Sequence, residues 1–169
     1  MDKIVNEIAR EARKLGACSK GYSELLSASD KRDLCLLYIK HLDFCTENDF
    51  PQKEFIKKVF GECMNQYGIF VDDEIIIDNK RMIIALGNTK GKINIENYGV
   101  SEVHARHKSE LDILANGNAF VMVDVYDDAV VNVCACDRAK VCVNRHGGKV
   151  THATTEDAVV KIREMSTIK

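Results

Sequence analysis

One proline, Pro51, stands in 169 residues, which excludes proline-rich linkers and argues against a disordered chain. No apolar run approaches the ~20 residues of a membrane span. An excess of one charge is missing too: 24 Lys and Arg face 26 Asp and Glu, for a net charge of −2. That balance removes the electrostatic footprint of a dedicated nucleic-acid binder. The opening MDKIVNEIAREARKLG alternates charged and apolar residues and has no signal-peptide core, so a cytoplasmic place is expected. Cysteine is present but not in an even count: Cys18, Cys35, Cys45, Cys63, Cys134, Cys136 and Cys142 make seven. Without a signal and without even pairing, free thiols in a reducing compartment are expected. Apolar residues at 46% and charged residues at 30% fit one or two small globular domains.

Two periods divide the chain. Through residues 1–66 apolar residues recur at three- and four-residue steps, as in Ile4, Val5, Ile8, Ala12 and Leu15, with Gly16 as a stop. A short helical piece follows around Tyr22–Leu26. Ser29 or Asp30 then opens a longer helix whose stripe is Leu34, Leu37, Tyr38, Leu42 and Cys45. Cys35 and Cys45 read as small buried hydrophobes. Asp49-Phe50-Pro51-Gln52 reads as the next opening, with Asp49 as cap and Gln52 at capping-box spacing, ahead of Phe55, Ile56, Val59, Phe60 and Cys63. A bundle of three or four helices is expected.

After Gly68 the period becomes two, first through transitional strands at 67–90. From residue 91 the chain divides into tens: GKINIENYGV, SEVHARHKSE, LDILANGNAF, VMVDVYDDAV, VNVCACDRAK, VCVNRHGGKV and THATTEDAVV. The third position holds Ile93, Val103, Ile113, Val123, Val133, Val143 and Ala153. Asp127, Asp137 and Gly147 supply turns at the seventh, and Ala119, Ala129 and Ala139 recur at the ninth. Such a repeat dominates the reading. Each ten holds a strand of about five residues and a turn, odd residues pointing inward and even ones outward. Two tens form one flattened coil, with strands stacked at ~4.8 Å. The frame weakens where Arg145, Lys149 and Thr155 replace apolar residues, and Val160-Lys161-Ile162 shifts parity. The solenoid is therefore expected over 91–160, with 161–169 as a C-terminal cap or tail and the helical half as the other cap.

The pattern V-x-V-x-A-x-[DG]-x-A over 91–150 resembles the decapeptide repeats of bacterial right-handed β-solenoid proteins. Tyr38–Cys45 and Asn48–Pro51 are similar to stretches of uncharacterised proteins of gut Bacteroidales and their phages and mobile elements. Together with the helical first half, which it does not cover, the resemblance gives an α+β chain, a helical bundle followed by a short right-handed parallel β-solenoid. It also implies a rigid surface for assembly or binding more often than a reaction, although fold does not settle function.

Short motifs give little chemistry. Cys134, Cys136, Cys142 and His146 are metal-type residues, but successive tens belong to opposite walls, so four ligands cannot converge tetrahedrally. Asp127, Asp128, Asp137 and Asp157 lack the fuller glycine-rich sequence of calcium-binding rolls. Gly87–Lys92 lacks phosphate-loop spacing. No metal and no cofactor are expected.

Stacking at twenty residues generates a candidate site that no motif reveals. One column reads His104, Asp124, Asn144, and its neighbour reads Arg106, Tyr126, His146. A His beside an Asp, with Arg and Tyr nearby, suits an acidic ligand or acid–base work; Arg and Tyr also suit a protein interface. Two functions follow. The first is a non-enzymatic scaffold or protein-interaction protein, with a protein partner or self-association and no nucleic-acid or membrane partner. The second is a small-ligand or glycan-binding module, or a weak hydrolase, centred on His104, Asp124, Arg106 and Tyr126.

Overall fold

The computed structural model describes residues 2–166, and the chain forms two compact units that divide between Tyr67 and Gly68. The fold is mixed α+β, helices first and an all-parallel β-solenoid after them.

In place of three or four helices, the first unit has six among the described residues: α1 (Asp2–Lys14), α2 (Ser19–Leu26), α3 (Lys31–Lys40), α4 (Leu42–Glu47), α5 (Lys53–Phe60) and α6 (Cys63–Gln66). The ends of α1 follow from sequence. Gly16 takes φ +94, and Ala17 N donates to Ala12 O at 2.9 Å while Gly16 N donates to Arg13 O at 3.2 Å. That is a Schellman stop, which needs a residue tolerant of the left-handed region. Both candidates for the α3 cap take part. Asp30 accepts from the amides of Arg32 and Asp33 at 2.8 and 3.0 Å, and Asp33 reaches back to the amide and hydroxyl of Ser29.

The single long helix expected after Asp30 breaks at His41 (φ −112, ψ 32) into α3 and α4. Asp49 does not cap α5; Gln52 occupies that position, and its side chain makes no cap bond. Asp49 instead ends α4. It takes φ +47, its amide donates to Thr46 O, and Phe50 N donates to Cys45 O at 2.9 Å. Phe50 then meets Phe44 edge-on, with ring centroids 6.2 Å apart, the apolar contact that accompanies such a stop. Proline therefore precedes the helix rather than occupying its first turn.

The second unit stacks β1 (Ile69–Val71), β2 (Glu74–Asp78), β3 (Met82–Leu86), β4 (Lys90–Ile95), β5 (Val100–Ala105), β6 (Glu110–Ala115), β7 (Phe120–Val125), β8 (Val130–Ala135), β9 (Lys140–Arg145), β10 (Lys149–Thr154) and β11 (Val159–Glu164). Odd-numbered strands form one six-stranded sheet and even-numbered strands a five-stranded one, about five turns in all. From β3 to β9 each strand pairs with the residue twenty further on, as in Val103↔Val123 and Ile113↔Val133. Inward positions 93, 95, 103, 105, 113, 115, 121, 123, 125, 131, 133, 135, 141 and 143 are buried in one core of Val, Ile, Leu and Ala.

The stretch 67–90 is not a separate transition: β1, β2 and β3 belong to these same two sheets. It escaped the ten-residue frame because its turns are shorter. Ile69 pairs with Ile84 and Glu74 with Lys90, spacings of 15 and 16 residues. The far end is also longer than the frame suggests. β11 continues to Glu164, so 161–164 is strand, 165–166 follow it without regular structure, and residues 167–169 of the expected tail lie outside the described residues.

The loss of parity sits at Gly147-Gly148, earlier than Val160. Lys149 pairs with Val130 and Val159 with Lys140, a spacing of 19. A one-residue slip exchanges the two faces of a strand. Ala153 accordingly pairs with Cys134 on the outside, while His152 takes the inward column of Val133. Gly148, at φ +67, has Ala129 O only 2.2 Å from where a Cβ would stand, so this shortened turn requires glycine.

Candidate functional site

The candidate wall is the outer face of the six-stranded sheet at β5, β7 and β9. Even positions there point outward, and the twenty-residue register aligns His104 with Asp124 and Asp124 with Asn144. The structure brings all six candidate residues together. Asp124 is the centre: its Oδ1 accepts from Asn144 Nδ2 at 3.1 Å and lies 3.3 Å from His146 Nε2. Its Oδ2 is 4.0 Å from His104 Nδ1. His104 Nε2 meets Glu102 Oε1 at 3.0 Å, and this hydrogen bond holds the Glu102 carboxyl below the usual carboxylate range.

The neighbouring column is held by rings. Tyr126 and His146 stack with centroids 4.3 Å apart and planes 14° apart, and the Arg106 guanidinium lies 5.7 Å from the Tyr126 centroid. Arg106 Nε also lies 3.4 Å from Asp127 Oδ2. Although these residues point away from the core, His104, Arg106 and Asp124 are only 7%, 8% and 8% exposed. Chemically, the wall offers a carboxylate between two imidazoles, in a stack whose polar groups largely engage one another.

The turns show where the remaining motif residues go. Asp127 Oδ2 accepts from His107 N at 2.9 Å, Asp137 Oδ2 from Gly117 N at 2.7 Å, and His107 Nδ1 from Gly87 N at 3.0 Å. Each side chain thus ties its turn to the turn one coil before. The hydroxyl of Thr89, buried, donates to Leu86 O at 2.7 Å, so residues 87–89 are a turn between strands and Lys90 to Lys92 open β4. Cys134 lies on the five-stranded sheet and Cys142 on the six-stranded one. Among the described residues no group of three or more His, Cys, Asp or Glu is placed to hold a metal ion. All seven cysteines are thiols. Burial first, and then the Cys63 thiol 3.8 Å away, push the Cys35 thiol up to about 12.

Sequence reasoning missed an apolar strip on the same wall. Val100 pairs with Phe120, Phe120 with Lys140 and Lys140 with Val159, so these residues share one outward column, and Met122 stands in the next. Val100, Phe120, Met122 and Val159 are 47%, 37%, 38% and 41% exposed. The signal was available: all but Val159 are apolar residues at even, outward positions of the frame. No helix among the described residues is long and apolar enough to cross a membrane. No protein-family model, no curated protein and no solved structure matches the chain.

Proposed function

We propose that this is a non-enzymatic interaction protein, cytoplasmic, whose solenoid presents one wall to a protein partner or to a further copy of itself. The observation that carries the reading is the exposed apolar group Val100, Phe120 and Met122, with Val159 beyond Lys140, on the wall that also carries the Arg106–Tyr126–His146 column. A wall that combines exposed apolar side chains with Arg and Tyr has the composition of a protein interface. A stack of parallel strands holds that surface rigid, which lowers the ordering cost of association. Kinship with right-handed decapeptide-repeat solenoids and an origin in a phage or mobile element belong to the same proposal; the twenty-residue register of β3–β9 supports the kinship.

Light scattering on the reduced protein tests it. A discrete oligomer that F120K or M122K returns to a 19.0 kDa monomer is the expected result. A monomer with no change in either variant contradicts self-association and turns attention to a second reading. That reading, a small-ligand or glycan site, is favoured by the placement of His104 and His146 on either side of Asp124. It predicts saturable binding of a sugar or small acid that D124N abolishes.

A further inference from the structure

The helical unit contains a cavity of about 280 Å³. Four aromatic rings line it, in two edge-on pairs: Tyr38 with Phe60, centroids 6.0 Å apart, and Phe44 with Phe50. The lining also includes the small residues Ala12, Gly16, Ala17 and Gly21. The space is a feature of the sequence: a Cβ at Gly16 would meet nothing within 4 Å, and one at Gly21 would make ordinary contacts of 3.5 Å or more. No Lys, Arg, Asp or Glu is among the lining residues. The one imidazole there, His41, has its Nε2 engaged by Glu24 at 2.8 Å, and Lys40 neutralises the other oxygen of Glu24 at 2.7 Å.

An apolar cavity of ~150 Å³ stays dry and takes up benzene, because water needs two to four polar partners. The space here is nearly twice that and opens to solvent at Gly16 and Cys18. Aromatic walls favour a flat ring met edge-on, and the absence of lining charge disfavours an ionised ligand, whose desolvation nothing would offset. We propose that the helical unit binds an uncharged aromatic molecule of one or two rings, up to about eleven non-hydrogen atoms by proportion to benzene. The site is separate from the solenoid wall and independent of the reading given above for it.

Naphthalene is the probe, titrated into the full chain and followed by methyl-resolved NMR. Saturable shifts on Ile8, Leu25, Leu34 and Leu37, with a dissociation constant on the order of tens of micromolar, are expected. A12L and A17L fill the space from positions that are buried and half-buried respectively; each is expected to weaken binding at least tenfold with an unchanged circular dichroism spectrum. If one variant fails to fold, the other and the wild-type shift map still decide. No saturation up to the solubility limit, shifts confined to solenoid methyls, or equal affinity in folded filled variants would each overturn the proposal.

Discussion

The two units use similar apolar residues to different ends. Within the solenoid, an inward side chain of an interior strand meets the residue one coil above and one below, so between β3 and β9 a position's environment repeats at twenty residues, as in Ile93, Ile113 and Val133. In the helical unit each contact is made once, between helices of 4 to 13 residues. The first arrangement closes its core with Val, Ile and Ala; the second leaves a ring-lined cavity. A period of two specifies both a face and a neighbour. A period of 3.6 specifies only a face, and packing across helices depends on which residue each stripe meets.

The most severe way to break this comparison is a charge placed inside the stack. Val123 is fully buried, and V123D should cost on the order of several kcal/mol, because an unpaired carboxylate has no partner in that core. M122D, one residue along and outward, should change stability by less than about 1 kcal/mol. Urea unfolding followed at a β-sheet wavelength compares the two. Equal effects would mean that the faces are misassigned.

A subtler change sharpens the register slip. His152 occupies the inward column of Val133 in a partly open terminal coil, whereas Ala153 lies outward. H152V should therefore stabilise the protein by roughly 0.5–1 kcal/mol through added apolar burial, and A153V should leave the melting temperature within error. The unbroken ten-residue frame predicts the reverse.

The smallest effect belongs to the helical unit. Hydrogen bonds from Lys40 and then His41 lower the Glu24 carboxyl from 4.5 to about 2. A depressed folded-state value stabilises the fold where the carboxylate is ionised. That contribution is complete above pH 4.5 and is lost as pH falls toward 2. Because the pair is open to solvent, the change is slight. E24Q should flatten the acid limb of a urea-midpoint profile over that interval and leave neutral pH nearly unchanged.

These contrasts show why some of the molecule was legible and some was not. The tens from 91 to 146 place His104, Asp124 and Asn144 in one column from sequence alone, because in-register parallel stacking converts a sequence interval into a neighbour. The same frame failed at Ile69–Leu86 and after Gly147, where turns of different length change the interval without changing the strands. It also concealed the Val100–Phe120 strip, since an outward position was read as polar by rule. In the helical half, Gly16 and Asp30 announced their helix boundaries through backbone chemistry. Asp49 misled because an Asp serves equally at a helix start and, in the left-handed region, at a helix stop. The cavity had no signature in periodicity, which records apolar faces and not the gaps between them.

Interstrand nuclear Overhauser effects test the stacking most directly. Parallel pairing with a twenty-residue coil predicts cross-peaks between the amide of Tyr126 and the α-proton of Ala105, whose amide and carbonyl are bonded at 2.9 Å, and likewise between Cys136 and Ala115. After Gly147 the interval should shorten by one, placing the amide of Thr155 against Ala135 and that of Val159 against Ala139. A ladder with these two intervals is the result the account predicts. Antiparallel α-proton pairs, or the earlier amide-to-α-proton interval of 21 residues persisting to the last strand, would contradict it.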